Sequence, residues 1–438
     1  MDIMLLVSTV GILAAVVFIV YYAYQGYSPI LLAPIATLIA CATSKISVTD
    51  GFIKAYASGF GKMGGSMLLM YTFAAMFANV LTKDKAAFSI AEWISKIFGY
   101  KHAAMVIMLI TGFLCLGGLH VGCYFIVFPI ALALFSQRGY SKDLILGCIL
   151  AGSWTWCLCA PLSPSPHNTI AINILGTTPS AGLIPGLAAA IFILVACCVY
   201  LEWQGQHWLK QGRKFDAWDE IPEANEEEKK TYPPIIRAII PCIVLLLLYN
   251  LGGLNVAVAL GLSTLLAIAL EYKTHDLRGW FKVLQEGLLN GLEPLCNLAF
   301  IAGFGAVVAM TPFYKSIINW VSHTTIHPYI LALFGCNLVA FCLGSAGSAL
   351  STVLPNVLPL YQDYVQNFGL DMGNLHRLSV IGSIGLDSLP HNGSIIACCK
   401  LFNTTPKKSY FPVFICCTVI TIIAGFAIAL PLAMMGFK

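Results

Sequence analysis

The chain has 438 residues, of which 58% are hydrophobic and 10% charged, with a formal net charge of +4 and a mean hydropathy of +0.83. Soluble domains carry about 25% charged residues, so this composition excludes a soluble globular protein. The net positive charge is too small and too scattered for a nucleic-acid-binding surface.

Apolar runs near the ~20 residues that span a bilayer recur from end to end. They are Ile3–Tyr22, Met67–Leu81, Met105–Leu119, Leu183–Leu201, Ile235–Leu251, Val256–Leu270, Leu295–Met310 and Pro412–Met435. They are apolar all round, whereas a membrane barrel needs alternating polarity, so they are expected to be helices. The first run is too long for a signal segment and lacks a basic leader, so it reads as a retained helix. The pattern predicts an all-α polytopic membrane protein, with the lipid bilayer as its surroundings.

The 16 cysteines lie largely inside these runs, some as neighbours (Cys197/Cys198, Cys398/Cys399, Cys416/Cys417). Adjacent helical residues face different ways, so the pairs suit neither a bridge nor a metal cage. They read as small buried hydrophobes, with a redox or metal role as the alternative.

A polar segment, Glu202–Pro234, holds "GRKFDAWDEIPEANEEEKKTYPP" and divides the chain near its middle. Its basic residues Lys210, Arg213, Lys214, Lys229 and Lys230 favour the cytoplasm, although Lys83, Lys85, Lys96 and Lys101 form a competing basic loop. The expected organisation is a first membrane repeat over 1–201, a cytoplasmic linker over 202–234 and a second repeat over 235–438.

The two halves carry matching features. "SPSPHNTIAINILGTTP" (163–179) and "DSLPHNGSIIACCKLFNTTP" (387–406) each have Pro-His-Asn, an apolar run and Thr-Thr-Pro. Upstream of each lies an amphipathic stretch with one Trp, Trp93 or Trp320. Next comes a glycine-rich segment, "LCLGGLHVGCYFIVFP" (114–129) or "FCLGSAGSALSTVLP" (341–355). Two related halves around a polar linker mark a secondary transporter, with inverted repeats if each half crosses the membrane an odd number of times.

Pro161, Pro164 and Pro166 cannot sit in one continuous helix, and Pro390 and Gly393 interrupt the second copy. Broken backbone at membrane depth is tolerated only when buried in protein or lining a wet cavity. A half-helix beginning after such a break presents free N–H groups to an anion. Asn168 and Asn392 are candidate N-caps; a Pro-His-Asn that merely caps a surface turn is the plainer alternative. The expected substrate-binding residues are Ser163, Ser165, His167, Asn168 and Thr169 in the first copy. In the second they are Ser388, His391, Asn392, Gly393 and Ser394. Gly117, Gly118 and Gly122 answer Gly344 and Gly347, and the second glycine-rich copy adds the hydroxyls of Ser345 and Ser348, with Ser351, Thr352 and Asn356 beyond. Those small residues serve either a hydroxylated anion or close helix packing.

Ionisable residues at membrane depth are costly and usually functional. His120, His167, His391, Asp387 and Glu293 qualify, with Pro294 beside Glu293 marking either a break or a helix start; Arg377 and Lys400 are expected near interfaces. Asp387 is the candidate cation-coupling residue. Its carboxylate can take a proton, because burial penalises the charged form, or help to hold Na⁺. Ser163 occupies the matching position, so one half alone brings a carboxylate. His391, one helical turn on if the backbone stays helical, is the candidate partner or alternative proton carrier. The rival for Asp387 is an Asx-type cap.

At "GFGKMGGSM" (59–67), "PLSPSPHN" (161–168) and the closing Ser/His/Asn segment, the chain resembles the gluconate permease (GntP) family. These are bacterial proton-coupled organic-anion symporters of the ion transporter superfamily. Family members that carry gluconate have a His-Pro-Gly-Pro core where this chain has Pro-His-Asn. Here "GLDSLPHNGSII" (385–396) is more similar to a branch for short hydroxy acids such as 3-hydroxybutyrate. The resemblance implies a scaffold plus a moving transport domain, interrupted helices or re-entrant hairpins, a homodimer, elevator-type alternating access, and uptake of a small organic anion coupled to H⁺ or Na⁺. No other cofactor is implied. A cation/proton antiporter of the same superfamily is the nearest rival. An integral-membrane enzyme would need clustered nucleophile, base or metal ligands, and no His-x-x-x-His, Glu/His cluster or Walker-type loop is present.

Overall fold

The computed structural model describes residues 3–25, 27–99, 101–116, 122–163, 165–215, 231–250, 252, 254–272, 274–323 and 326–438. Gly117, Gly118 and His120, and the linker residues 216–230, lie outside them. Among the described residues every element is helical; no strand forms beyond one isolated bridge, Tyr140 to Lys214.

In the first half, α1 spans Ile3–Tyr24, α2 Pro29–Thr43, α3 Thr49–Lys83 (its first turns π-helical), α4 Ala86–Phe98, α5 Ala103–Leu116 and α6 Gly122–Arg138. Then follow α7 (Ile145–Trp154), α8 (Trp156–Cys159), α9 (Pro166–Leu175) and α10 (Leu183–Lys210). The second half contains α11 (Ile235–Asn250), α12 (Val256–Leu270), α13 (Leu277–Val308), α14 (Pro312–His323), α15 (Pro328–Leu343), α16 (Ala346–Phe368), α17 (Met372–Gly385), α18 (Gly393–Leu401) and α19 (Pro406–Met434). Six of the described helical stretches are long and apolar enough to cross a bilayer. The two Trp-bearing amphipathic stretches are α4 and α14, each with its Trp partly exposed.

Two details differ from the sequence reading. Helix α13 begins well before the Leu295–Met310 run and continues through Pro294, so that proline marks neither a break nor a start. Helix α10 extends into the segment read as linker, burying Glu202, Gln204 and Trp208. Polar residues stay helical there because they have partners. The Tyr140 hydroxyl donates to Glu202 at 2.5 Å, and the Arg213 guanidinium meets Asp143 at 3.2 Å while stacking 3.7 Å over Trp208. The cysteines are all free and most are buried.

The helices group into two compact units that each draw on both halves of the chain. One contains Met67–Ser153 and Cys198–Leu295. There the Asn79 amide donates to the Val283 carbonyl at 2.7 Å, and Gly287 and Gly291 let α13 lie directly against the Tyr71–Met76 backbone of α3. The other contains Met1–Ser66, Trp154–Cys197 and Cys296–Lys438, and so holds every described interrupted segment.

In this second unit the start of α3 packs on the end of α13 through glycines. A Cβ on Gly59 would lie 2.6 Å from the Ala306 methyl and 2.9 Å from the Ala302 carbonyl oxygen. Small residues let membrane helices approach this closely, and dispersion then supplies the attraction. Gly61, one step round α3, faces nothing within 4 Å. The two positions therefore respond oppositely to alanine. Gly59→Ala is expected to destabilise the protein by about 1–3 kcal/mol through overpacking. Gly61→Ala is expected to stabilise it by roughly 0.5–1 kcal/mol through helix propensity. Unfolding of the purified protein in detergent measures both signs.

Candidate functional site

The first break runs from Ala160 to Ser165. Pro161 comes just after α8 ends and Pro166 opens α9; Pro164 lies outside the described residues. Leu162 takes a left-handed backbone (φ 64°), unusual for a branched side chain, and its N–H finds the Pro179 carbonyl at 2.9 Å. Ser165, not Asn168, caps α9: its hydroxyl accepts from the Asn168 N–H at 3.2 Å. Pro166 supplies the reason, because proline favours the first helical position and so sets the cap one residue before itself.

Freed from capping, Asn168 is buried and stitches the break together. Its amide nitrogen faces the carbonyls of Leu158, Ala160 and Ser163 at 3.4, 3.4 and 3.2 Å. Its oxygen accepts from Arg377 Nη1 at 2.9 Å and lies 3.2 Å from His376 Nε2. With Nε2 donating there, His376 Nδ1 accepts from the Thr177 hydroxyl, 2.6 Å away.

Arg377, expected near an interface, is fully buried. Its Nε and Nη2 donate to the Ala181 carbonyl at 3.1 and 2.8 Å, and Nη1 also reaches the Cys159 carbonyl at 2.9 Å. Among the described residues it has no carboxylate partner; carbonyl dipoles and Asn168 satisfy it. The Gly182 backbone (φ 57°) makes the room, since a Cβ there would sit 2.5 Å from Arg377 Cβ. The guanidinium thus joins both flanks of α9 to the second turn of α17.

The second break lies between α15 and α16, at Gly344 (φ 58°) and Ser345. The Ser345 hydroxyl accepts from the Ser348 N–H at 3.3 Å and caps α16. The third runs from Leu386 to Asn392: a short 3₁₀ turn, extended Leu389, then Asn392 as N-cap of α18, its side chain accepting from the Ser394 N–H at 2.7 Å. The Asn392 expectation holds.

Asp387 and Asn392 form one unit. The Asn392 amide donates to the Asp387 carboxylate at 2.7 Å and to the Asp387 carbonyl at 3.0 Å. The Ala346 N–H, at the start of α16, faces that carboxylate without meeting hydrogen-bond geometry. His391 is not the partner of Asp387. Extended Leu389 breaks the helical register, and His391 Nε2 turns to the Phe341 carbonyl at 2.7 Å while Nδ1 is buried without a partner. The first copy repeats the backbone device: Asn168 reaches the Ser163 carbonyl as Asn392 reaches that of Asp387.

The third break meets the second. His391 occupies the space beside Gly344, 3.2 Å from where a Cβ would stand, and the Leu386 N–H donates to the buried Asn337 oxygen at 2.7 Å. The first meets the second through Ile170, against Gly347. The second break therefore adjoins the other two inside a single unit. A cavity of about 690 Å³ reaches the third break, bounded by α1, Phe341, Pro390, His391 and Lys407.

The other expected residues are distributed around this junction. Ser388 is fully buried and donates to the Ile384 carbonyl at 3.2 Å. Ser163 is buried with its hydroxyl unpartnered, as is Nδ1 of half-buried His167. Thr169 is exposed, Ser348 and Ser394 are half-buried, and Gly393 packs on Ile301 of α13. Lys400 is exposed. The sequence reading missed Asn337, His376 and the role of Arg377. An Arg inside "GNLHRLSVIGSIG", with no other unambiguous charge in the stretch, was the available signal.

The family match and the curated relatives agree on one class. The model of the GntP family permeases matches residues 3–435. The "uncharacterized transporter YxjC" of Bacillus subtilis (strain 168) is 27% identical over 95% of this chain and 97% of its own. An "uncharacterized permease" of Haemophilus influenzae is 22% identical over 86% and 82%. The solved structure of Neisseria gonorrhoeae MtrF, described as one of a class of antimetabolite efflux pumps, aligns over 92% of this chain and 94% of that one. It does so at 12% identity and a TM-score of 0.39, too distant to show a shared fold. With a family match over nearly its whole length and helices to cross the bilayer, the chain is a multi-pass membrane transporter and belongs to the GntP permease family.

Proposed function

We propose that the protein is a cation-coupled symporter of a small hydroxy-monocarboxylate, of the size of 3-hydroxybutyrate or gluconate. The observation that carries this reading is the meeting of interrupted segments inside one unit, with a single carboxylate, Asp387, at the third of them. Asp387 accepts from the amide of Asn392, and the first N–H of α16 faces it. Helix starts suit an anion, and the hydroxyls of Ser163, Ser345, Ser348, Ser388 and Ser394, spread over the three interrupted segments, suit a hydroxylated one.

Two anions in one dry site repel each other. A proton or Na⁺ on Asp387 removes that penalty, and bound substrate in turn favours the cation, which is a reciprocal coupling free energy. The Ser163/Asp387 difference supplies one such carboxylate per chain. His167 and His391, each with an unpartnered Nδ1, are the further groups able to bind a substrate oxygen or a proton. The unit that contains all three breaks would be the moving body of an elevator, with the protein a homodimer built from inverted repeats.

Three outcomes test this reading. Asp387→Asn imitates the neutral acid, so proteoliposomes carrying it should retain counterflow of labelled 3-hydroxybutyrate or gluconate and lose gradient-driven accumulation. Accumulation at the wild-type level would move the coupling site elsewhere.

The two asparagines should separate. Asn392→Ala is expected to cost about 1 kcal/mol of stability as a lost cap and roughly ten- to a hundredfold in substrate affinity. Asn168→Ala leaves Arg377 short of an acceptor and should cost about 1.5–3 kcal/mol of stability. Equilibrium binding and thermal unfolding of both purified variants measure the split. Cysteines placed at Gln211 and Asn225 should resist an impermeant thiol reagent outside intact cells, if the linker is cytoplasmic; labelling there would reverse the orientation.

A further inference from the structure

Helices α14 and α16 line a second, open cavity, of about 610 Å³, whose lining includes none of the residues of the three breaks. Lys315 and Tyr314 line it from α14, and Thr352 and Asn356 from α16, with Ile318 and Leu360 forming apolar wall. Lys315 is exposed, and among the described residues its ammonium makes no ion pair. The Tyr314 side chain is only 4% exposed; its hydroxyl faces Thr352 without meeting hydrogen-bond geometry, and so is buried with no partner. A buried unpaired hydroxyl is costly unless a ligand completes it.

The hydrogen-bonding capacity left open has a definite composition. The Thr352 hydroxyl donates to the Ser348 carbonyl at 2.9 Å, leaving its lone pairs to accept. The Asn356 amide spends one hydrogen on the Thr352 carbonyl at 2.6 Å and keeps its second hydrogen and its oxygen. An ammonium, a phenol and an amide hydrogen are on offer to a negative group, and two acceptors to a hydroxyl. Ile318 and Leu360 would cover a short aliphatic segment.

Ser345, Ser348, Thr352 and Asn356 recur at spacings of three and four, hence on one face of α16. That stripe covers about 16 Å of helix and joins the cavity to the break at Gly344–Ser345. Pro355 and Pro359 lie within α16 beside the cavity, where each removes a backbone donor and leaves the carbonyl one turn back without its helical partner.

We propose that this cavity is a second binding site for a short carboxylate bearing a hydroxyl, a waiting site from which the ligand passes along the α16 stripe to the interrupted segments. Lys315 holds the carboxylate, Tyr314 completes that contact, and Thr352 and Asn356 take the hydroxyl. The passage to the breaks rests on the transport reading above; the occupancy of the cavity does not.

The test uses the full chain in proteoliposomes, with 3-hydroxybutyrate as probe. Acetylation of Lys315 by an amine-reactive ester is followed by mass spectrometry. At ten times its half-saturating concentration the acid should slow Lys315 acetylation about tenfold by simple occupancy. 1,3-Butanediol, which lacks the carboxylate, should not. In uptake, Lys315→Gln should raise the half-saturating concentration about tenfold or more at an unchanged maximal rate. Lys315→Arg, which keeps the charge, should stay within about threefold of wild type. Uptake with no protection of Lys315 overturns the waiting site and leaves the transport reading standing. Protection in a protein that accumulates none of a panel of hydroxy acids upholds the cavity site and overturns the transport reading. Should Lys315→Gln fail to insert, the footprint on the wild-type protein decides alone.

Discussion

Backbone that leaves the helix inside a membrane must find partners for its N–H and C=O groups within the protein, because lipid offers none. The rest of the site follows from how this chain meets that constraint. At the first break a buried guanidinium takes carbonyls from both sides of α9 and the oxygen of Asn168. At the third, Asn392 holds the carbonyl and the carboxylate of Asp387. The two asparagines do the same work five residues downstream of the residue they secure. They differ in that one is tied to a cation and the other to an anion.

That difference divides the labour between the copies. Arg377 is satisfied by neutral dipoles, so the first break holds its charge in a closed network with no acceptor to spare. Asp387 receives the Asn392 amide at one oxygen, and at the same break His391 keeps an unpartnered Nδ1. A buried charge with all its partners rigidifies; a buried charge with partners to spare can respond to a ligand. The first break reads accordingly as the anchor of the unit and the third as its responsive part. The hydroxyl stripe of α16 then extends the polar interior away from the junction towards Lys315.

Much of this was legible in the residues. Low charge and recurrent apolar runs require helices in lipid, and three prolines in six residues require a break wherever the chain later folds. The repeated Pro-His-Asn, with Ser163 opposite Asp387, located both breaks and the asymmetric carboxylate, and the Asn392 cap followed from residue type. The Asn168 cap did not, because Pro166 claims the first helical position and moves the cap to Ser165. Nor did the pairing of His391 with Asp387, which presumed a helical register that extended Leu389 removes. Arg377 looked like an interfacial cation because sequence shows neither Gly182, which makes room for it, nor the carbonyl of Ala181, which receives it.

The sequence by itself determined the solvent of the chain, its helical class, the positions of its breaks and the kinds of side chain placed at them. These are properties of composition and local stereochemistry, which each segment carries alone. Only the tertiary structure decided which groups satisfy one another: Arg377 with Asn168, Asp387 with Asn392, Leu386 with Asn337, and the second break with the other two. Those pairs are separated by as many as 209 residues. A hydrogen bond is specified by position in space to within a few tenths of an ångström, and no local pattern in a chain encodes that.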